Sequence, residues 1–549
     1  VTNRAPTLSD ETSRTHKTKE YAMRPALTYP GVCIEELSSG VHTISGVATS
    51  IAAFIGWAPQ GSTTEAVLIE SATEFATLYG GLTNNNGVPN YLGYAVNQFF
   101  ANGGSQAYII RLVWDGTLTT AVTPAPVTSA TAKATFGGSL NLFASNPGKW
   151  ANTTFVSVTL QPSPLTGFTI QVLDSLGNVL ENFVGLSIDP TNPEYVVTAI
   201  NSDSQYISFI DPAHPNATIP VPTMPTATLA TGLALNGGID GEVLIPGGNG
   251  DFELALGSGP AATYGVHLLD NVEIFNILCV PGETDGGTIQ NLQGYCVTKR
   301  AFYIVDCPPL ATVSGLNTTG PVGTGSAASL VGTNSTNSAY YFPWVIAQDP
   351  LMSNRPALFP PSGFVAGIYA ATDANRGVWK APAGIGASLT GGVLGLQYNL
   401  NDADSGELNP QAINCLRDFK SYGDVVWGAR TLQGSDNAGS QWKYIPIRRF
   451  ALFLESSLYD GTQWVVFEPN DEPLWGQIRL NVGSFLQGLF LRGVFQGSAP
   501  QEAYFVKCDS ENNPQSSIDQ GIVNILVGFA PLYPAEFVII QIQQMAGQS

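Results

Sequence analysis

Residues 273–306 read EIFNILCVPGETDGGTIQNLQGYCVTKRAFYIVD, and the fold is decided there. Residues 273–280 are a buried-strand run, 288–300 a helix, and 301–306 a second apolar strand. A strand, a helix and a strand in succession form a βαβ unit, in which the helix is the crossover that lets the two strands lie parallel. The same alternation extends toward the amino end. Residues 52–55 and 66–69 read as strands, and 71–79 and 91–102 as helices. Toward the carboxyl end, the turn Pro469-Asn470-Asp471-Glu472 opens an amphipathic helix over 474–492. Its apolar residues Trp475, Ile478, Val482, Phe485, Leu486, Leu489 and Phe490 recur at helical spacing. Strands are expected at 503–508 and 522–528, and a terminal strand at 536–543 carries apolar side chains on both faces.

Between these halves the text changes. Residues 116–261 are rich in Thr, Ser, Ala, Val, Asn and Pro, with short β-prone runs at 154–160 and 168–173. Lys133 and Lys149 are the bases of this stretch, against ten acids and no arginine. It reads as an inserted β-rich domain facing outward. The expected organisation is a multidomain α/β (α+β) chain. It comprises a flexible arm at 1–28, a first core part at 29–115 containing a short strand at 32–37, the insertion at 116–261, a middle α/β domain at 262–405 and a C-terminal domain at 406–549.

The chain has 549 residues with 22 Lys+Arg against 42 Asp+Glu, a formal charge of −20. Such a balance excludes nucleic acid as the main partner, because that affinity comes from Lys and Arg displacing counterions. Charged residues make up only 12% of the chain, half the usual share. That scarcity is expected of a surface largely covered by other copies, since interface cores are depleted of Lys, Glu and Asp. The first thirty residues show no secretory pattern. The apolar stretch 44–58 is interrupted and shorter than the ~20 residues that cross a bilayer, so no membrane span is expected. Six scattered cysteines without a Cys-x-x-Cys pair read as buried reduced thiols made in a cytoplasm.

A search for chemistry finds no enzyme, cofactor or metal centre. The four histidines, His16, His42, His214 and His267, lie at no metal-ligand spacing. Gly148-Lys149 is followed by Trp150, which breaks a phosphate loop. Gly257-Ser258-Gly259-Pro260 suits a linker better than a dinucleotide turn. Asp402-Ala403-Asp404 begins like a calcium loop but lacks its closing glutamate, so it reads as a solvated loop. Asp471 and Glu472 suit helix capping, and Tyr340, Tyr341, Phe342 and Trp344 suit a core.

Several longer stretches resemble one family, the contractile tail sheath proteins of myophage tails and of phage tail-like contractile injection systems. They are YPGVCIEE at 29–36, GVATSIAAFIG at 46–56, QFFANGG at 98–104, PPSGFVAG at 360–367, RGVWKAPA at 376–383, VWGART at 426–431, VFEPND at 466–471, VKCD at 506–509 and PAEF at 534–537. The resemblance covers both ends and the middle of the chain, and not 116–261. It implies a structural subunit whose core is built from both ends of the chain, polymerising as stacked hexameric rings around an inner tube and contracting to drive that tube through a target envelope. Its partners would be further sheath subunits, the inner tube protein, and baseplate and tail terminator or cap proteins. It would be made in the bacterial cytoplasm and belong to a phage virion tail or a tail-like injection particle.

The resemblance also implies strand exchange between subunits. The residues concerned are Val32, Cys33, Ile34, Glu35, Glu36 and Leu37 at one end, and Glu536, Phe537, Val538, Ile539, Ile540, Gln541, Ile542 and Gln543 at the other. Arg479 and Arg492 on the C-terminal helix are the expected partners of an acidic tube surface, with packing inside the subunit as the other reading of that helix. The alternatives are another structural particle protein, of tail tube or surface-layer type, and a hydrolase carried on 116–261.

Overall fold

The computed structural model describes residues 42–541, apart from 86–87, 115–127, 137–139, 162–166, 213–215, 248–249, 261 and 326–328. The N-terminal half of the core contributes β1 (Ala52–Trp57), β2 (Val67–Ile69), α1 (Ala72–Tyr79), α2 (Tyr91–Ala101) and β3 (Ala107–Leu112). After the insertion come β4 (Ile277–Cys279), α3 (Gly286–Lys299), β5 (Phe302–Asp306), β6 (Ser338–Phe342), α4 (Ser362–Arg376), β7 (Ile413–Phe419) and β8 (Gly423–Val426). The C-terminal part adds α5 (Ile445–Gly461), α6 (Glu472–Leu491), β9 (Tyr504–Lys507) and β10 (Leu526–Phe529).

Strands β1 to β8 form one sheet in the order β2-β3-β1-β4-β5-β6-β7-β8. Its six inner strands are parallel, and β2 and β8 close the two edges antiparallel. Successive side chains of each inner strand enter opposite cores. Ala52, Phe54, Ile277, Phe302, Ile304 and Tyr341 pack with α2 and α4, while Ala53, Ile55, Leu278, Tyr303, Val305 and Tyr340 pack with α3. Burial on both faces explains why these strands read as continuous apolar runs. The predicted βαβ unit is β4-α3-β5. Its first strand is shorter than the 273–280 expected: the chain bends at 272–273 and the strand starts at Ile277. The Asn276 side chain accepts from Ile51 N (3.0 Å) and donates to Ala48 O (2.8 Å).

Local chemistry sets the helix starts. Ser71 Oγ accepts from Glu74 N (3.1 Å) ahead of α1, and the Asp285 carboxylate accepts from Thr288 N (2.8 Å) ahead of α3. Helices α2 and α4 lie close because Gly363 and Gly367 carry no side chain. A Cβ at Gly363 would stand 2.6 Å from Ala95 Cα. The predicted aromatic group Tyr340, Tyr341, Phe342 and Trp344 is buried, and the five described cysteines are free and buried. Residues 402–407 are not the solvated loop expected. Asp402–Leu408 is a short helix started by Asn401, whose side chain accepts from Asp404 N while the Asp404 carboxylate accepts from Asn401 N.

The insertion holds a four-stranded antiparallel sheet (Phe155–Leu160, Phe168–Leu173, Val179–Leu186, Leu229–Ala234) and a three-stranded one (Lys133–Phe136, Leu140–Ala144, Ile207–Ser208). Alternate residues such as Leu140, Leu142, Val156, Val158, Ile170 and Val172 make their shared core, which ends at Leu235. Leu244, Phe252, Ala255 and Leu256, assigned from sequence to the insertion, pack instead with α3 in the α/β core. The Gly257-Ser258-Gly259 stretch follows the helix Asp251–Leu256 rather than a strand, so it lacks the strand–turn–helix setting of a dinucleotide loop.

In the C-terminal part, the predicted stripe of α6 is the buried one. Leu474, Trp475, Ile478, Val482, Leu486 and Leu489 pack on Phe450 and Leu454 of α5 and on Ile44. Asp471 caps the helix, its carboxylate accepting from Leu474 N at 3.2 Å. Asp471→Ala should cost about 1 kcal/mol, read as a lowered denaturation midpoint; no change in the midpoint would show that the cap contributes nothing.

Candidate functional site: the exit of the C-terminal segment

The last strand, β10, pairs with β9, and after it the chain is held by backbone bonds from Gln496 N to Ala530 O (2.9 Å) and from Ala530 N to Ala503 O (2.8 Å). Beyond this the expected strand over 536–543 does not form within the subunit: residues 536–541 are in no strand, and Ile542 and Gln543 lie outside the described residues. Val32, Cys33, Ile34, Glu35, Glu36 and Leu37 also lie outside them. A β-strand needs an edge to pair with, and here the chain runs off the body. Phe537, Val538, Ile539 and Ile540 are 74–84% exposed.

Glu536, immediately before them, is held firmly. Arg430 Nε donates to its Oε1 at 2.6 Å and Arg430 Nη2 to its Oε2 at 2.9 Å. Asn409 Nδ2 donates to Oε1 (2.8 Å) and the Tyr444 hydroxyl to Oε2 (2.9 Å). Burial pushes the Glu536 carboxyl up, but the Arg430, Asn409 and Tyr444 donors hold it below the ordinary glutamate value. The Tyr444 phenol is pushed up to about 12 by burial and by the Glu536 charge. The clasp sits at one side of a groove of about 1100 Å³, whose walls include Trp379, Trp427, Arg417 and Tyr533.

The antiparallel pair β9–β10 precedes this segment in the chain. Among the described residues it is a sheet of two strands with Phe505 and Leu526 about half exposed. Two strands alone are marginal in water, so the hairpin leans on α6 and gains from any added strand.

Arg479 and Arg492 are both engaged inside the subunit, and Arg492 lines the same groove as Glu536. Arg479 donates to Cys508 O and to Glu472 Oε1 (2.6 Å), and the Arg492 guanidinium lies 5.0 Å from the Trp379 ring centre. The sequence reading missed Arg430, Asn409 and Tyr444. Arg430 and Glu536 do stand in two of the stretches quoted above, 426–431 and 534–537, but nothing in the text pairs residues so far apart.

In a parallel sheet ligands usually sit outside the carboxyl ends of the strands, and here that region is filled by protein. Asp306 at the end of β5 accepts from Gly282 N (3.0 Å), Ser362 N (2.8 Å) and Ser362 Oγ (2.7 Å), and burial pushes it up to about 6. Glu283, after β4, is pushed up to about 8 by burial and then by the nearby Glu253 charge. Among the described residues no group of three His, Cys, Asp or Glu could hold a metal ion, and no helix is long and apolar enough to cross a membrane.

These raised carboxyls fix a direction for pH dependence. A carboxyl raised on folding stabilises fully below its unfolded value, and that contribution is lost as pH rises through its folded value. Asp306 loses its share on the way to about pH 6 and Glu283 on the way to about pH 8. Glu283→Gln should therefore flatten the alkaline decline by on the order of 4 kcal/mol between about pH 5 and 9. Denaturation midpoints across that range check this, and an unchanged decline in the variant would place its origin elsewhere.

The phage tail sheath protein central domain matches residues 265–432, and the phage tail sheath C-terminal domain matches 437–545. Among curated proteins, the tail sheath protein of Vibrio phage KVP40 is 29% identical over 169 residues, covering 31% of this chain and 24% of that protein. The tail sheath protein of Enterobacteria phage T4 is 27% identical over 162 residues, covering 29% and 23%. The chain thus matches about a quarter of the length of these two relatives. Among solved structures, the sheath complex of an extracellular contractile injection system in its contracted state, PVC, superposes with a TM-score of 0.55 at 23% identity, over 95% of this chain and 98% of that one. That likeness shows the fold. Two consecutive domain models of one family span just over half of the chain, and the fold is shared with the PVC sheath complex over 95% of the chain. The chain belongs to the phage tail sheath family.

Proposed function

We propose that this chain is the structural subunit of a contractile sheath, polymerising as stacked hexameric rings around an inner tube and contracting to drive the tube through a target envelope. The observation that carries the reading is the unpaired apolar segment Phe537–Ile540 leaving a subunit that also offers the two-stranded β9–β10 sheet. A segment lacking a sheet and a sheet lacking strands satisfy one another between copies by β-augmentation. Such a contact joins two different surfaces, so it propagates as an open helix and does not close into a dimer. We assign the residues named from sequence, Val32 to Leu37 and Glu536 to Gln543, to this exchange.

In this reading the work is mechanical. The extended sheath is metastable, and each subunit gains on the order of a few kcal/mol of new interface on contraction. Summed over many copies, a weak bias becomes a strong one without any nucleotide. Arg479 and Arg492 are the positions we assign to an acidic tube surface, which they would meet while keeping Glu472 and Trp379 as neighbours. Further partners are the baseplate and the tail terminator, and the particle is a phage tail or a tail-like injection device assembled in the bacterial cytoplasm.

Electron microscopy of the purified particle, with antibody against this chain, tests the proposal. The label is expected on a cross-striated outer layer with sixfold rings, long and narrow before contraction and short and wide after it. Label on the inner tube or on a capsid shell would sink the reading.

A further inference from the structure

We propose that Glu536 is a positioning residue: clamped in the fork of Arg430, its carboxylate fixes where the apolar C-terminal segment leaves the subunit and thereby sets the register in which that segment pairs with a second copy. The inference rests on the strand-exchange reading above and adds to it the device that makes the exchange specific.

The first support is the completeness of the clasp. Arg430 is 1% exposed. Besides its two bonds to Glu536, its Nη1 donates to Asn409 O (2.9 Å), Asp436 Oδ1 (3.0 Å) and Gly434 O (3.2 Å). The guanidinium is therefore fixed in its plane, and a planar fork dictates the orientation of the carboxylate it binds. Asn409 and Tyr444 take further acceptor positions of that carboxylate, which leaves Glu536 a single orientation.

The second support is the pattern of the segment itself. A strand whose apolar residues alternate with polar ones has its register set by burial, because a slip of one residue turns the apolar face to solvent. Here Phe537 and Ile539 point to one side of an extended chain, and Val538 and Ile540 to the other. Over 537–540 a one-residue slip exchanges one apolar pair for another, so burial of these four residues barely distinguishes the two registers. Something outside the pattern must do so. Among the described residues the clasp is the last side-chain anchor before the segment: Glu536 is largely covered, and the next four residues are 74–84% exposed.

The test uses the full-length chain with Glu536→Gln, which keeps the shape and one acceptor oxygen while removing the charge. In the unassembled subunit, a spin label at the exposed Ala535 (Ala535→Cys) reports tail mobility; its mobility is expected to rise clearly in the Gln variant. In assembly, sheaths are expected to be at least tenfold shorter on average, and those that form to lose regular cross-striation in the power spectrum of their images. A subunit merely less stable would give fewer sheaths of normal regularity. If Glu536→Gln does not fold, Tyr444→Phe removes one donor and leaves the ion pair, and a smaller change in the same two readouts is expected. An unchanged label spectrum would overturn the clasp. A freed tail with long, regular sheaths would overturn its part in register while leaving strand exchange intact, since the latter fails only if chains lacking the segment also assemble.

Discussion

Asp373→Ala is expected to lower the unfolding free energy by about 3–5 kcal/mol, a third or more of what an ordinary domain has to lose. Asp373 lies near the end of α4 and Arg449 in the second turn of α5, and both side chains are almost fully buried (2% and 3% exposed). Arg449 Nη1 and Nη2 donate to the two oxygens of Asp373 at 2.9 and 2.7 Å, Nη2 also donates to Thr49 O at 2.8 Å, and the guanidinium lies 4.7 Å from the Tyr369 ring centre. The pair thus joins three distant parts of the chain: the approach to β1, the middle helix and the C-terminal helix. Removing the carboxylate leaves a guanidinium in an apolar core with one backbone carbonyl, and that uncompensated charge is the source of the cost. Replacing both residues with apolar ones of similar size, Asp373→Leu with Arg449→Met, should recover most of the loss, because the cost comes from the orphaned charge more than from the missing attraction. Chemical denaturation of the isolated subunit measures both. A single-variant loss below about 1 kcal/mol would mean that water reaches the site and screens it as it does at the surface.

The sequence carried half of the sheet for a physical reason. Strands β1, β4 and β5 are buried on both faces, so their runs AAFIGW, ILC and FYIVD are dense in apolar residues whichever neighbour they have, whereas β3, β6, β7 and β8 were not read as strands. Helix α6 was equally legible, since its stripe and its Asp471 cap are local. What escaped depends on contacts the chain order hides. The side-chain bonds of Asn276 to Ile51 and Ala48, beside the start of β4, join residues more than two hundred positions apart. Residues 402–408 are helical because Asn401 and Asp404 cap reciprocally, a signal masked by their likeness to a metal loop. Leu244 and Phe252 look like more of the insertion until packing with α3 assigns them to the core. The clasp is the extreme case. Arg430 and Glu536 each stood inside a recognisable stretch, yet the bond between them is a property of the fold. The terminal segment reads from sequence as an apolar strand; residues 536–541 are in no strand, and Ile542 and Gln543 lie outside the described residues.

Ending the chain before Glu536, or deleting residues 1–37, is expected to leave a folded subunit that no longer builds long sheaths. The apolar cores do not include residues 537–540, so removing them takes nothing from the interior. The C-terminal truncation does take the carboxylate from Arg430, but Asp436 and the carbonyls of Asn409 and Gly434 stay in place to hold the guanidinium. A shift of a few degrees in the melting temperature is the expected cost. Assembly should respond far more strongly. A tethered strand turns the next contact into an intramolecular event at high effective concentration, so losing the tether weakens the addition of every later ring, and mean sheath length should fall by an order of magnitude or more. On the strand-exchange proposal the same tether would let rigid bodies rotate past one another during contraction without parting, so short sheaths from truncated chains should also fragment when triggered. Mean length in electron micrographs, before and after triggering, gives both readings. Full-length, contraction-competent sheaths from both truncated chains would mean that the lattice is held by the rigid faces of the subunit alone, and that the apolar tail serves some other contact.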